Sequence, residues 1–305
     1  MNIVFMGTPA YATVILKALL EDKCFNVTLL VTQEDKPVGR KQVLTPPDTK
    51  AFIVANNYAM EIYQPKTLRT DEASIKIASY KPDFIVVAAY GQILPKSILS
   101  IAPCLNLHAS LLPQYRGASP IQSTILKDDM YAGVSAMLME EGLDTGAVLG
   151  LSYVDAKRHN ALELFNILAN VAATLIVKTL KNFDNLLPLK QVDAESSHCK
   201  KIKKEDGEVD FKRDSAHDIV IKARAFMPWP GIFLATGMKL HSVKLSIIKS
   251  NQLPGTIVDI SNQAITIVCK EGCLDIETLQ PMSKNIMKVQ DYILGKRLLI
   301  GDTLA

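Results

Sequence analysis

The densest group of reactive polar side chains follows an apolar run near residue 105. Asn106 and His108 stand two positions apart in the stretch CLNLHASLLPQYRGASP, which covers 104–120. A strand places alternate side chains on one face, so an amide and an imidazole would point to the same side. Such a pair can polarise a carbonyl and stabilise the oxygen anion that forms when a nucleophile attacks it. The spacing therefore predicts carbonyl chemistry at the end of a strand.

This arrangement still needs a carboxylate to orient the imidazole. Asp144, which stands in the sequence GLDTG, is the candidate, because a carboxylate beside an imidazole favours its protonated form. A lone His in an apolar run is more often a hydrogen-bonded core residue, and Asp between glycines is often only a turn. Asn106 and His108 together nevertheless require partners, since each buried polar group left unpaired costs about 1–3 kcal/mol. Tyr115, Arg116 and Gly117 form a polar turn that is expected to wrap a ligand.

The elements that must position these residues alternate between buried strands and helices. A strand over 2–6, a helix over 10–20 and a strand over 27–32 form a βαβ opening. The run FIVVA at 84–88 is typical of a buried parallel strand. The turn after the first strand has one glycine only, so the pattern of a dinucleotide site is missing. These features predict an α/β domain with a predominantly parallel sheet.

The C-terminal third has a different pattern of apolar residues and turns. From 232 to 278, short apolar runs alternate with turn signals such as Pro254-Gly255, which is typical of a small antiparallel β-barrel. A chain of 305 residues is long enough for two domains. We therefore predict an α/β domain over 1–190, a linker over 191–206 and a β-barrel domain over 207–305.

Composition narrows the function classes. The sequence is 48% hydrophobic and 21% charged, as in soluble globular proteins. Its net charge of +3 is small, so a nucleic-acid partner would have to be recognised by local clusters. Five cysteines without a CxxC pair predict reduced thiols, a cytoplasmic location and no zinc site. Neither a leader nor a membrane span is predicted, because the most apolar helical stretch has an amphipathic period.

The segments NLHASLLPQYRGASP and GLDTG resemble the signature of the formyltransferases that depend on 10-formyltetrahydrofolate. Ala109 departs from the glycine usual in that family. The resemblance implies a Rossmann-like formyltransferase domain followed by an OB-like β-barrel domain, and 10-formyltetrahydrofolate as cosubstrate with no metal. It implies a catalytic set of Asn106, His108 and Asp144. It also implies folate contacts at Ser110, Leu111, Leu112 and Pro113.

Within this family the whole chain resembles the enzymes that formylate initiator methionyl-tRNA. The segment 33–48 resembles the loop that those enzymes insert into the acceptor end of the tRNA, and Arg40 is its predicted tRNA contact. The run LQPMSKNIM at 279–287 resembles their C-terminal domain. The implied partners are the tRNA and the folate, and the expected state is a monomer.

Other functions stay open. A sugar-nucleotide formyltransferase resembles both domains, although the 33–48 loop is closer to the tRNA enzymes. A non-catalytic RNA-binding protein would explain the barrel but not the intact Asn, His and Asp. The charged run near residue 200 is either a solvated surface or an RNA contact, and its members are Lys200, Lys201, Lys203 and Lys204. An esterase is disfavoured because Ser110 lacks a G-x-S-x-G setting.

If the 33–48 loop enters the acceptor end, Arg40→Ala should lower kcat/KM for methionyl-tRNA about tenfold or more and leave folate affinity unchanged. The reason is that a guanidinium offers a planar pair of donors to a base or to phosphate oxygens. Lys36→Ala and Lys41→Ala are the matched controls, with smaller losses expected. Equal losses at all three positions that disappear in high salt would show that the loop only attracts phosphate.

Overall fold

The computed structural model of the protein describes residues 1–39 and 41–304. Arg40, the predicted tRNA contact, lies outside the described residues. The chain forms two compact units: the first comprises Met1–Pro120, Tyr131–Asp155 and Leu164–Lys200, and the second comprises Ile121–Met130, Ala156–Glu163 and Lys201–Ala305.

The first unit is built around a seven-stranded sheet. The strands up to residue 199 are β1 (Asn2–Gly7), β2 (Asn26–Val31), β3 (Lys36–Val38), β4 (Val43–Thr45), β5 (Glu61–Tyr63), β6 (Phe84–Ala88), β7 (Cys104–His108), β8 (Arg116–Gly117), β9 (Tyr131–Leu138), β10 (Val148–Asp155) and β11 (His198–Cys199). The sheet order is β10-β9-β7-β6-β1-β2-β5. From β7 to β5 the neighbours are parallel, whereas β9 is antiparallel to β7 and to β10. The predicted, predominantly parallel α/β fold is confirmed.

Helices occur in both units. They are α1 (Ala10–Glu21), α2 (Asp48–Ala55), α3 (Asp71–Ser79), α4 (Lys96–Leu99), α5 (Pro120–Leu126), α6 (Ala161–Lys181), α7 (Ala216–Ala225) and α8 (Val289–Lys296). The capping signals explain two of the starts. Thr70 accepts a hydrogen bond from the backbone N–H of Ala73 at 3.3 Å, and Asn160 and Glu163 cap each other's backbone N–H at 3.0 and 2.9 Å.

Helix α6 is, by length and composition alone, apolar enough to cross a membrane. One such helix is weak evidence, because the core helix of a soluble protein passes the same test. Its residues Leu164, Leu168, Ala172 and Ile176 recur every four positions and are all buried. Leu175 lies 3.3 Å from the position that a Cβ on Gly150 of β10 would take. The buried stripe therefore identifies α6 as a helix that packs against the sheet.

The segment 33–48 contains a hairpin that its sequence does not reveal. Strands β3 and β4 pair antiparallel but have three residues each, and Pro37 lacks the N–H of a regular strand residue. The base of the hairpin is fixed by Lys50, whose Nζ lies 2.9 Å from both carboxylate oxygens of Asp35 and 2.9 Å from Oε1 of Gln64. The segment therefore leaves the sheet from an ordered base.

The second unit is β-rich. Its strands are β12 (Ile232–Phe233), β13 (Lys239–Leu245), β14 (Ile257–Ile260), β15 (Ile265–Val268), β16 (Cys273–Gln280) and β17 (Met287–Lys288). They form an antiparallel sheet in the order β12-β13-β16-β15-β14, with β17 paired to β16. The predicted β-rich C-terminal domain is confirmed. Its closure into an OB-like barrel stays a prediction.

Asp128 lies within ion-pair distance of three basic side chains inside the second unit. Its carboxylate lies 2.7 Å from Nζ of Lys157, 3.7 Å from Nε2 of His217 and 3.8 Å from Nη1 of Arg224. The hydrogen bond from Lys157 is the largest cause of a lowered pKa for Asp128, and partial burial opposes it. A carboxyl whose pKa is lowered by folding stabilises the folded state above its unfolded pKa of about 3.9, and this contribution is lost as the pH falls through the folded pKa.

Asp128→Asn is therefore expected to lower the free energy of unfolding by about 1 kcal/mol near neutral pH. The difference from wild type should shrink as the pH falls below about 4, because the wild-type carboxylate then becomes protonated. Denaturant titrations near pH 7 and near pH 3 measure both values. A difference of the same size at both would contradict an ionic role for Asp128.

Candidate active site

Strand β7 brings the two side chains of the predicted pair to one end of the sheet. Asn106 lies opposite Met137 of β9, and His108 lies opposite Ser135. Residues two apart on a strand share a face, as the sequence spacing predicts. His108 is buried, whereas Asn106 is partly exposed. The pair therefore combines a shielded imidazole with an amide that a ligand can reach.

Both side chains converge on Asp144. Its Oδ2 accepts a hydrogen bond from the backbone N–H of Gly117 at 2.9 Å and lies 3.7 Å from Nδ1 of His108. Its Oδ1 accepts from Nδ2 of Asn106 at 3.4 Å. The side chains of His108 and Asp144 are only 7% and 12% exposed, so water has little access to either group. The structure thus brings together the three residues selected from the sequence.

The imidazole of His108 is held from its other side by a backbone carbonyl. Nε2 lies 2.9 Å from the carbonyl oxygen of Tyr115, which can only accept, so Nε2 donates. Nδ1 is then the nitrogen that faces Asp144. Nδ1 lies 3.7 Å from Oδ2 of Asp144, which is longer than a hydrogen bond. The geometry fixes the orientation of the ring, with one nitrogen on the backbone and the other beside the carboxylate.

The loop after β7 is held by its own polar groups. The hydroxyl of Ser110 donates to the carbonyl of Gln114 at 2.5 Å, and the Ser110 carbonyl accepts from Oγ of Ser135 at 2.7 Å. The same Oγ accepts from the backbone N–H of Leu112 at 3.0 Å. Ser110 is therefore engaged inside the protein, and its side chain supports the loop shape.

The four predicted folate residues divide into two kinds. Leu112 is buried against Met137 and Val148, and Ser110 is buried as well. Leu111 and Pro113 keep partly exposed side chains. Any direct side-chain contact with a ligand is therefore expected from Leu111 and Pro113.

Arg116 does not face a ligand as the polar-turn interpretation expects, because its side chain is 4% exposed and paired internally. Its Nε donates to Oε1 of Gln191 at 3.0 Å, and its Nη2 donates to Asp193 at 2.9 Å. Gln191 in turn donates from Nε2 to the carbonyls of Asp144 and Gly146, each at 2.8 Å. Sequence reasoning missed Gln191, because its partners lie 45 to 75 positions away and no local pattern marks it.

The segment 191–200 belongs to the first unit and closes one side of the site. Strand β11 pairs in parallel with β8, so that His198 lies opposite Arg116. Sγ of Cys199 lies 3.3 Å from the carbonyl of Tyr115, the group that also holds His108. The boundaries predicted at 190 and 207 stay predictions, but residues 191–200 contribute to the surroundings of Asp144.

Other reactive groups near β7 do not join the three central residues. Burial raises the pKa of the Cys104 thiol to about 12, so it stays protonated at cellular pH. Tyr11 of α1 is buried beneath β7 and donates to the carbonyl of Leu107 at 3.5 Å. Among residues 1–39 and 41–304, no three His, Cys, Asp or Glu side chains are grouped as metal ligands.

Comparison with known proteins identifies the family. The model of the Formyl transferase family matches residues 1–180, and that of the Formyl transferase C-terminal domain matches residues 201–297. The chain belongs to the formyltransferase family. The chain is 53% identical over 303 residues to Methionyl-tRNA formyltransferase of Campylobacter lari, with 99% of each chain covered.

Solved formyltransferases share the fold. WlaRD, a sugar 3N-formyl transferase whose structure was determined in the presence of dTDP and 5-N-formyl-THF, has a TM-score of 0.65 and 18% identity, covering 93% of this chain and 99% of its own. Methionyl-tRNA formyltransferase from Clostridium thermocellum has a TM-score of 0.56 and 20% identity, and the match covers 82% of this chain and 95% of that one. At these identities the likeness concerns the fold alone.

The loop of this formyltransferase that carries Asp144 depends on Gly146, where a Cβ would lie 1.7 Å from the carbonyl oxygen of Leu138. Gly146→Ala should therefore destabilise the protein by about 1–3 kcal/mol and lower formyl transfer. Gly150→Ala is the control, since its nearest contact is the flexible end of Leu175 at 3.3 Å. Thermal unfolding measures the stability of both variants. If Gly146→Ala is as stable as Gly150→Ala, the requirement for glycine at position 146 is contradicted.

Proposed function

We propose that this formyltransferase moves the formyl group of 10-formyltetrahydrofolate to the α-amino group of initiator methionyl-tRNA, which yields formylmethionyl-tRNA for translation initiation. The observation that carries the proposal is the convergence of Asn106 and His108 on Asp144, in a chain that matches a methionyl-tRNA formyltransferase over its whole length. An α-amine has an ordinary pKa of about 7.7–8.0, so a useful fraction is neutral at cellular pH. Direct attack therefore needs no covalent enzyme intermediate.

Asn106 supplies the donor for the oxygen of the formyl group. In the reaction, the amine nitrogen bonds to the formyl carbon, the bond from that carbon to the folate nitrogen breaks, and a proton passes from the amine to the folate nitrogen. The formyl oxygen becomes negative during the attack. The amide of Asn106 carries two N–H donors, of which one points to Asp144. The other stabilises the developing oxyanion.

His108 and Asp144 supply charge and a route for the proton. The carbonyl of Tyr115 holds Nε2, which leaves Nδ1 on the side of Asp144. The carboxylate stabilises a positive imidazole, as in other His–Asp pairs. The charged ring then stabilises the oxyanion. Nδ1 gives its proton to the leaving folate nitrogen and takes up the proton that the amine nitrogen loses, while Nε2 stays on the carbonyl of Tyr115.

Substrate binding is divided between the loop after β7 and surfaces for tRNA. Leu111 and Pro113 contact the folate, while Ser110 and Leu112 keep the loop in shape. Arg40 contacts the tRNA. The exposed side chains of Lys200, Lys201, Lys203 and Lys204 are suited to phosphates. Among the described residues the five cysteines form no disulfide, which suits the proposed cytoplasmic location. The proposed state is a monomer.

The proposal is tested by offering the protein a labelled formyl donor with methionyl-tRNA and, separately, with UDP-amino sugars. Label is expected on the tRNA and not on the sugars. Transfer to the sugars alone would replace the proposed acceptor. No transfer to either would contradict the proposed reaction.

The roles of the central residues predict that Asn106→Ala lowers kcat about a hundredfold or more, because one oxyanion donor is worth roughly 3 kcal/mol. Asp144→Asn should cause a comparable loss and an altered pH–rate profile, since the neutral amide no longer stabilises a positive imidazole. Asn182→Ala removes an exposed amide at the end of α6 and serves as the control. Normal turnover in Asn106→Ala, or an unchanged profile in Asp144→Asn, would exclude that residue from the mechanism.

A further inference from the structure

A closed ring of contacts links Asp144 to three other residues, Gly117, Arg116 and Gln191. The backbone N–H of Gly117 holds the carboxylate, and Nε2 of Gln191 holds the main-chain carbonyl of the same residue at 2.8 Å. Arg116, the neighbour of Gly117 in the chain, closes the ring by donating from Nε to Oε1 of Gln191 at 3.0 Å. The side chain and the main chain of Asp144 are thus both held, and the groups that hold them are linked through Arg116.

The backbone at Asp144 explains why such support is needed. Its φ is +54°, in the left-handed region that side chains other than glycine rarely adopt. Gln191 is 9% exposed and bridges two carbonyls of this loop, those of Asp144 and Gly146. An unusual backbone conformation persists when the surrounding structure holds it. The two hydrogen bonds from Gln191 are that constraint.

We propose that Gln191 is a positioning residue, which sets the direction of the Asp144 carboxylate toward His108 by holding the carbonyls of Asp144 and Gly146. This inference rests on the proposed function. It assigns a role in the reaction to the segment 191–200, which by sequence alone belongs to a linker.

The chemistry of the ring calls for an amide at this position. The two carbonyls require two N–H donors, whereas Arg116 requires an acceptor. A glutamine side chain offers both at one end. Glutamate would still accept from Arg116, but it would set a carboxylate oxygen against the two carbonyl oxygens. Methionine has a similar length and offers neither contact.

The test compares Gln191→Met, Gln191→Glu and the matched control Gln114→Met. Gln114 also joins the loop after β7 to the segment 191–200, through Glu195 and Ser197, but its contacts do not include Asp144. Two quantities are measured: kcat and KM for methionyl-tRNA, and the hydrogen-exchange rate of the Gly117 amide, which reports directly on the Asp144 carboxylate.

Both Gln191 variants should lower kcat about tenfold to a hundredfold with KM changed less than about twofold, because the carboxylate is misplaced while the tRNA surfaces are intact. Their Gly117 amide should exchange faster than in wild type, and Gln114→Met should match wild type in both measurements. In the Asp144→Asn background, Gln191→Met should cause no further loss of kcat.

Wild-type kcat and Gly117 exchange in Gln191→Glu would overturn the role of the two donors. Equal effects in Gln191→Met and Gln114→Met would show that any loosening of the segment suffices, which also overturns it. If Gln191→Met does not fold, Gln191→Glu alone tests the proposal, because the glutamate still accepts the hydrogen bond from Arg116. A wild-type protein inactive on methionyl-tRNA would refute the proposed function alone, because Gly117 exchange still tests whether Gln191 positions Asp144.

Discussion

The burial of the Asp144 carboxylate beside the imidazole of His108 is the constraint on which the arrangement of the site depends. Removing a carboxylate from water costs several kcal/mol unless opposite charge and hydrogen bonds compensate. Here the compensation comes from Asn106, His108 and the N–H of Gly117. In the proposed reaction Asn106 and His108 also face the formyl group, so that one arrangement serves both the burial of the carboxylate and catalysis.

The fold supplies these groups from separate elements. Strand β7 ends at His108 beside the antiparallel strand β9, while Gly117 belongs to a two-stranded pair formed by β8 and β11. Asp144 lies in the connection between β9 and β10. A distortion of any one of them changes distances at the carboxylate, since its contacts lie on different parts of the chain. The loop itself is constrained by the close approach of Gly146 to the carbonyl oxygen of Leu138 and by the hydrogen bond from Gln191 to the carbonyl of Gly146.

Much of this architecture was predictable from sequence, because local signals were strong. The buried run at β6 and the capping residues of α3 and α6 mark their elements directly. The pair Asn106 and His108 could be found from spacing, and Asp144 from its glycine neighbours. The hairpin of β3 and β4 was not predicted, because three-residue exposed strands have no alternation of buried and exposed residues. The role of Gln191 was not predicted, because hydrogen bonds to main-chain carbonyls distant in sequence produce no recognisable sequence motif.

The most direct measurement is a double-mutant cycle on single-turnover formyl transfer, with His108→Ala, Asp144→Asn and the combined variant. If the two residues act as one charged pair, the combined variant should be no slower than the slower single variant within about twofold, as expected for residues that work as a unit. Losses that multiply, so that the combined variant is slower by the product of both single effects, would show that the two act independently and would contradict the account.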